Sequence, residues 1–145
     1  MLKAKKIFSF GKVINESLYE RVQLMDKNIF YGCNNEFHSN REWWVFLDDK
    51  GRIGAYCGSI YANNICILIR AWVKKQYRGK GLQKKLIKTR VNSAVKNDCH
   101  TVITYTTKDN YPSSNNLISQ GFKLYFPQYA YGGNEMLYWT KGIFR

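Results

Sequence analysis

Seven residues, Gln76-Tyr77-Arg78-Gly79-Lys80-Gly81-Leu82, join two runs of opposite periodicity and constrain everything around them. Residues 65–73 form an almost continuous apolar run of strand length, whereas Leu82, Leu86, Val91, Ala94 and Val95 recur at helical spacing. The turn therefore opens a helix directly after a strand. Gly79 and Gly81 leave no Cβ between the backbone and a ligand, and the first N–H groups of a helix have no intrahelical partner. Free donors at the positive end of a helix dipole suit a phosphate.

The rest of the chain supplies a sheet for this unit. Residues 6–13 read as a first strand broken at Gly11, and Asn15 as the cap of a helix over 16–27 with Leu18, Val22 and Met25 on one face. The Asn-rich stretch 28–40 reads as a loop or short helix. Residues 43–47 and 52–60, joined by Asp48-Asp49-Lys50-Gly51, then pair with 65–73 to make an antiparallel meander over 43–74. A helix from Gly79 to about 97 leads to a strand over 101–107, and a strand, a helix and a second strand in one sheet imply a right-handed parallel crossover. Pro112 starts a short helix that Gly121 ends; residues 122–126 and 135–140 are the last strands, with a turn-rich loop over 127–133 between them.

At 145 residues with 45% hydrophobic and 16% aromatic content, the chain fits one domain, 1–145, with a packed core. No stretch approaches the roughly 20 apolar residues that span a bilayer, and the apolar run after the basic N-terminus is too short for a signal peptide. A cytoplasmic protein with no membrane partner is the expectation. Cys33, Cys57, Cys66 and Cys99 contain no C-x-x-C pair, and only His38 and His100 can join them, so no metal is expected. Cys57 and Cys66 can face each other if the strands around Ala62 to Asn64 form a hairpin, and both are expected as thiols. Residues 50–97 hold no Asp or Glu and twelve of the 23 Lys and Arg residues behind the net charge of +13. Such a field attracts polyanions, whether a phosphorylated cofactor, nucleic acid or an acidic protein surface.

With these elements in this order, Gln76-Tyr77-Arg78-Gly79-Lys80-Gly81 resembles the signature of the GNAT superfamily of acetyl-coenzyme A dependent N-acetyltransferases: Gln or Arg, two residues, Gly, one residue, Gly or Ala. The stretch 110–122, with Asn110 ahead of a short helix ending in Gly121-Phe122, is similar to the family's later segment. The resemblance covers roughly residues 43–139. It implies an α+β, three-layer fold with a mixed sheet, and acetyl-CoA as acyl donor. It also implies that backbone from Tyr77 to Leu82 holds the coenzyme pyrophosphate, with Arg78, Lys80 and Lys84 adding charge. Backbone at Trp72 and Val73 then pairs with the pantetheine arm, and Asn110 with Ser113 or Ser114 adds polar contacts. The chemistry implied is direct attack of a neutral amine on the thioester, with no covalent enzyme intermediate.

One departure bears on mechanism. Many members carry a Tyr four residues before the Gly-Phe pair as the acid toward the leaving thiolate, and here that residue is Leu117. Tyr105 and Tyr131 are the alternative acids, and Asp109, Glu135 and His38 the candidate bases. The acceptor amine carries no decodable motif. A non-catalytic nucleic-acid-binding module on the same fold is the competing reading of the basic segment, an acetyltransferase acting on nucleic acid combines the two, and pairing of late strands between subunits leaves a homodimer open.

Overall fold

A computed structural model describes residues 1–30 and 39–143. His38, Cys33 and most of the 28–40 loop lie outside the described residues. The chain opens with a hairpin, β1 (Lys3–Ser9) and β2 (Lys12–Val13), where the sequence predicts a single strand. Phe10 and Gly11 both take positive φ, 47° and 86°, and turn the chain back on itself. Helix α1 (Glu16–Ile29) starts as expected, with the Asn15 side chain accepting the Leu18 N–H at 3.0 Å.

Strands β3 (Arg41–Leu47), β4 (Ile53–Ala62) and β5 (Ile65–Val73) form the expected meander. The hairpin of β4 and β5 does not bring its cysteines together, because its register sets Cys57 against Ala71 and Cys66 against Tyr61. Both are buried free thiols, and burial pushes the Cys66 thiol up to about 12. After β5 come a single 3-10 turn (Lys75–Tyr77), helix α2 (Leu82–Lys96), β6 (Thr101–Thr107), α3 (Tyr111–Ser119), β7 (Lys123–Tyr125) and β8 (Met136–Gly142).

The sheet order is β2-β1-β3-β4-β5-β6-β8-β7, with β5 and β6 its parallel pair. The crossover through α2 is thus the expected one. The last strand inserts between β6 and β7, leaving β7 at the edge. That strand shrinks to three residues because Phe122 is drawn into the core while Phe126 is fully exposed. Leu18 and Val22 of α1 cover one face of the sheet, over Ile7, Trp43, Val45 and Tyr56. On the other face Ile87 and Ala94 of α2 and Leu117 of α3 pack on Leu68, Val102 and Trp139. The result is the three-layer, mixed-sheet fold implied by the resemblance.

The inward face of α2 is more polar than apolar spacing predicts: Ile87, Arg90 and Ser93 are buried, while Val91 and Val95 are half-buried. Polar groups can turn inward where they find partners. Ser93 Oγ donates at 2.6 Å to Glu42, a carboxylate only 1% exposed that also accepts from Tyr61 Oη at 2.6 Å and faces Lys6 Nζ at 2.7 Å. Glu42 lies within β3, which begins two residues before Trp43 because Arg41 and Glu42 pair with Ile60 and Ser59 of β4.

Burial pushes the Glu42 carboxyl up, but hydrogen bonds from Lys6, Ser93 and Tyr61 outweigh it and hold it below the ordinary value of 4.5. A group depressed in the folded state stabilises above its unfolded pKa, and that contribution is lost as pH falls through the folded one. Glu42→Gln is therefore expected to flatten the decline of the urea midpoint below about pH 4.5 while lowering stability at neutral pH. Parallel acid profiles for the two proteins would contradict this.

Candidate active site

The parallel pairing of β5 with β6 lasts three positions, Ile65 with Thr101, Cys66 with Val102 and Ile67 with Ile103. Thr104 Oγ1 then donates to the Leu68 carbonyl at 3.1 Å, and beyond it the strands part. The cause lies in β5, whose register with β4 slips between Cys57 and Gly58, so that Arg70 is an extra residue with φ +43°. A bulge at a non-glycine residue in this region costs about 1 kcal/mol or more and needs to be held.

It is held from both sides of the sheet. From α1, the buried Asp26 carboxylate accepts Arg70 Nε at 3.2 Å and Tyr56 Oη at 2.8 Å, and the Arg70 guanidinium lies 5.2 Å from the centre of the Phe30 ring. From α2, Arg90 Nη1 donates to the carbonyls of Gly58 at 3.3 Å and Ile69 at 3.4 Å, one on each strand at the bulge. Arg90 Nε donates to Leu86 within its own helix at 3.0 Å.

Where the strands part there is a cleft of about 320 Å³, walled by residues 68–71 of β5 and 104–107 of β6. Ile87 and Arg90 of α2 and Asn110 and Ser113 of α3 line it as well, and Gln83 carries it to the first turn of α2. Here the expected phosphate turn has the geometry its residues demand. Gly79 and Gly81 adopt φ +75° and +78°, with open space where a Cβ would stand. The N–H groups of Gly79, Lys80, Gly81 and Leu82 donate to no backbone acceptor among the described residues, and no side chain caps α2. Lys80 and Lys84 are exposed beside them, and buried Leu82 anchors the helix start. Such a start fits a pyrophosphate.

The other residues expected to hold the donor divide by what they offer. Trp72 packs on Tyr56, with ring centres 5.8 Å apart, and Val73 is buried beside Leu86; neither is among the residues that line the cleft. Arg78 Nε donates to the Val73 carbonyl at 2.9 Å, tying the end of β5 to the turn. Tyr77 packs half-buried over Gly54, and Gln76 is exposed. Asn110 caps α3, accepting the Ser113 N–H at 3.3 Å, and both residues line the cleft.

Of the four described acid–base candidates, Tyr105 alone lines the cleft, 42% exposed. Its ring stands against Tyr131 and Tyr138, at 5.5 and 5.9 Å between centres. The Tyr131 hydroxyl is sealed without a hydrogen-bond partner among the described residues, and burial pushes its ionisation well above the usual tyrosine range. Asp109 is exposed just before the α3 cap, and Glu135, 87% exposed, pairs with Lys108 at 3.1 Å. Gly132 sits so close under Tyr105 that a Cβ would lie 2.7 Å from its ring. Gly132→Ala is therefore expected to displace the Tyr105 ring and lower stability by about 1–3 kcal/mol, measurable in urea. An unchanged midpoint would show that the ring is not held there.

Sequence reasoning missed Asp26, Arg70, Phe30 and Arg90. A signal existed for two of them. Asp26 continues the stripe of Leu18 and Val22 at four-residue steps, and Arg90 follows Leu86 in the same way. A charge inside an apolar stripe marks a buried charge with a partner.

The chain belongs to the GNAT acetyltransferase family: the model of the Acetyltransferase (GNAT) family matches residues 10–122. No curated protein matches the sequence. Among solved structures, a GNAT-family acetyltransferase from Staphylococcus aureus is similar at TM-score 0.72 and 16% identity, covering 97% of this chain and 99% of that one. An acetyltransferase from Streptococcus agalactiae is similar at 0.71 and 15%, covering 98% of each. A Bacillus subtilis acetyltransferase in complex with CoA is similar at 0.69 and 15%, covering 99% of each. At these identities the likeness shows the fold. Among the described residues no group of three His, Cys, Asp or Glu stands where it can hold a metal ion, and no helix is long and apolar enough to cross a membrane.

Proposed function

We propose that the protein transfers an acetyl group from acetyl-CoA to an amine. The observation that carries this reading is a cleft opening where β5 and β6 part and running to a helix start with four unpaired backbone N–H groups. Bound acetyl-CoA supplies an activated thioester. The amides of residues 79–82, with the dipole of α2 and the charge of Lys80, hold its pyrophosphate. The β5 backbone from Ile69 to Val73 has no strand partner on its β6 side and is available to pantetheine amides. Asn110 and Ser113 add polar contacts from α3.

Tyr105 stands on the face of β6 opposite buried Thr104 and Thr106, in the same cleft as Phe30 and Arg70. We assign its hydroxyl to proton transfer with the acceptor or the leaving thiol. Tyr131 and Gly132 position its ring, whereas Asp109 and Glu135 do not line the cleft. A neutral amine needs only to be placed and deprotonated, because a thiolate is a good leaving group.

The test is release of free thiol from acetyl-CoA across a panel of polyamines, amino acids, peptides and RNA. Release that depends on and saturates with one amine class is expected, with Tyr105→Phe lowering kcat about a hundredfold. Acetyl-CoA that binds without amine-dependent release would overturn the reading.

A further inference from the structure

Among the described residues that line the cleft two side chains are charged, Arg70 and Arg90, and none is a carboxylate. Arg70 is matched by Asp26, so its charge is answered outside the cleft. Arg90 is not matched. It is 3% exposed, it faces no Asp or Glu among the described residues, and its hydrogen bonds all run from Nε and Nη1 to backbone carbonyls. The second terminal nitrogen, Nη2, makes no hydrogen bond among the described residues and is not sealed, and it belongs to a side chain that lines the cleft. A guanidinium stays charged, and a buried charge answered only by carbonyl dipoles is costly. The Nη2 donors left over can make a charge-assisted hydrogen bond to a carboxylate oxygen.

Its depth says which part of a ligand it meets. Arg90 bonds at the level of Ile69, where the strands rejoin, four residues or about 13 Å of strand below Val73 and the phosphate turn. It also comes from α2, the helix that carries the turn, and not from the α1 side where Phe30 and Arg70 meet the cleft. A donor held at the turn and threaded along β5 therefore presents its acyl end to Arg90.

We propose that Arg90 makes the deep end of the cleft a carboxylate-receiving point, so that besides acetyl-CoA it accepts acyl-CoA thioesters whose chain ends in a carboxylate, such as succinyl-CoA, more tightly than uncharged ones of equal length. This rests on the reading of the cleft as an acyl-CoA site. In the transfer itself the amine nitrogen bonds to the thioester carbon, the carbon–sulfur bond breaks, and the amine proton ends on the departing thiol. The distal carboxylate takes no part beyond pairing with Arg90.

The test compares dissociation constants of succinyl-CoA and butyryl-CoA, equal in acyl length and different in charge, by calorimetry on the full chain. Succinyl-CoA is expected to bind about tenfold or more tightly, and the ratio to fall to near one in Arg90→Met. If that variant does not fold, Arg90→Lys replaces it, and its ratio is expected to fall because one ammonium cannot hold both bulge carbonyls and face the cleft. A wild-type ratio near one overturns the proposal while leaving the acetyltransferase reading in place. A high ratio that survives substitution overturns the assignment to Arg90, and failure of every acyl-CoA to bind overturns both.

Discussion

Gly81→Val is expected to abolish the rise in melting temperature that acetyl-CoA gives the wild-type protein. At a ligand concentration a hundred times the dissociation constant, binding stabilises the folded state by about 2.7 kcal/mol, which for a chain of this size is a shift of about 5–10 °C. Gly81 is the residue ahead of α2, in the left-handed conformation, with nothing within 4 Å of its missing Cβ. Valine there costs strain of about 1–2 kcal/mol, but its Cβ meets no neighbouring atom, so the fold is expected to survive. What the side chain fills is the space over the unpaired N–H groups of residues 79–82. The apo protein should melt a few degrees lower, and acetyl-CoA should no longer raise that temperature. A shift that persists in full would place the pyrophosphate elsewhere.

Asp26→Asn is expected to be the most destabilising isosteric change near the cleft. Asp26 and Arg70 are 4% and 13% exposed, so water screens the pair little. Breaking a buried pair costs about 3 kcal/mol or more, here a melting temperature lower by about 6–12 °C. Asparagine keeps an acceptor for the Tyr56 hydroxyl but removes the charge facing Arg70, whereas Tyr56→Phe removes only a hydrogen bond and should cost about 1–2 kcal/mol. The difference between the two variants isolates the charge. Because Arg70 is the bulged residue, Asp26→Asn should also weaken acetyl-CoA binding more than Tyr56→Phe does. Equal stability of the two variants, with equal affinity, would remove the ion pair from the account of the bulge.

These two sites also mark how far the sequence was legible. The turn at Gly81 is a local device. Two glycines, a strand before them and a helical stripe after them are all visible within about thirty residues, and the strands at 65–73 and 101–107 fell where the sequence places them. The capping of α1 by Asn15 and of α3 by Asn110 is local for the same reason. The bulge at Arg70 is not. It exists because Asp26, 44 residues earlier, and Arg90, 20 residues later, grip opposite sides of it, and no spacing rule registers such a clamp. The buried Glu42 network hid the true start of β3, since a Glu reads as a surface residue until Lys6, Tyr61 and Ser93 are seen around it. The insertion of β8 between β6 and β7 is likewise a matter of tertiary pairing. Tyr105 was legible as a candidate, but its separation from Tyr131, Asp109 and Glu135 required the cleft to be seen.

The central claim is that one cleft, from the turn at 79–82 down the free edge of β5, receives the acyl donor. Amide chemical-shift perturbation of the full chain titrated with acetyl-CoA tests it most directly. The account predicts large, saturable shifts at the N–H groups of Gly79, Lys80, Gly81 and Leu82 and along residues 69–73, continuing to Asn110 and Ser113, with β1 and β2 silent. Shifts that spare both the turn and the β5 edge at saturating acetyl-CoA would contradict it.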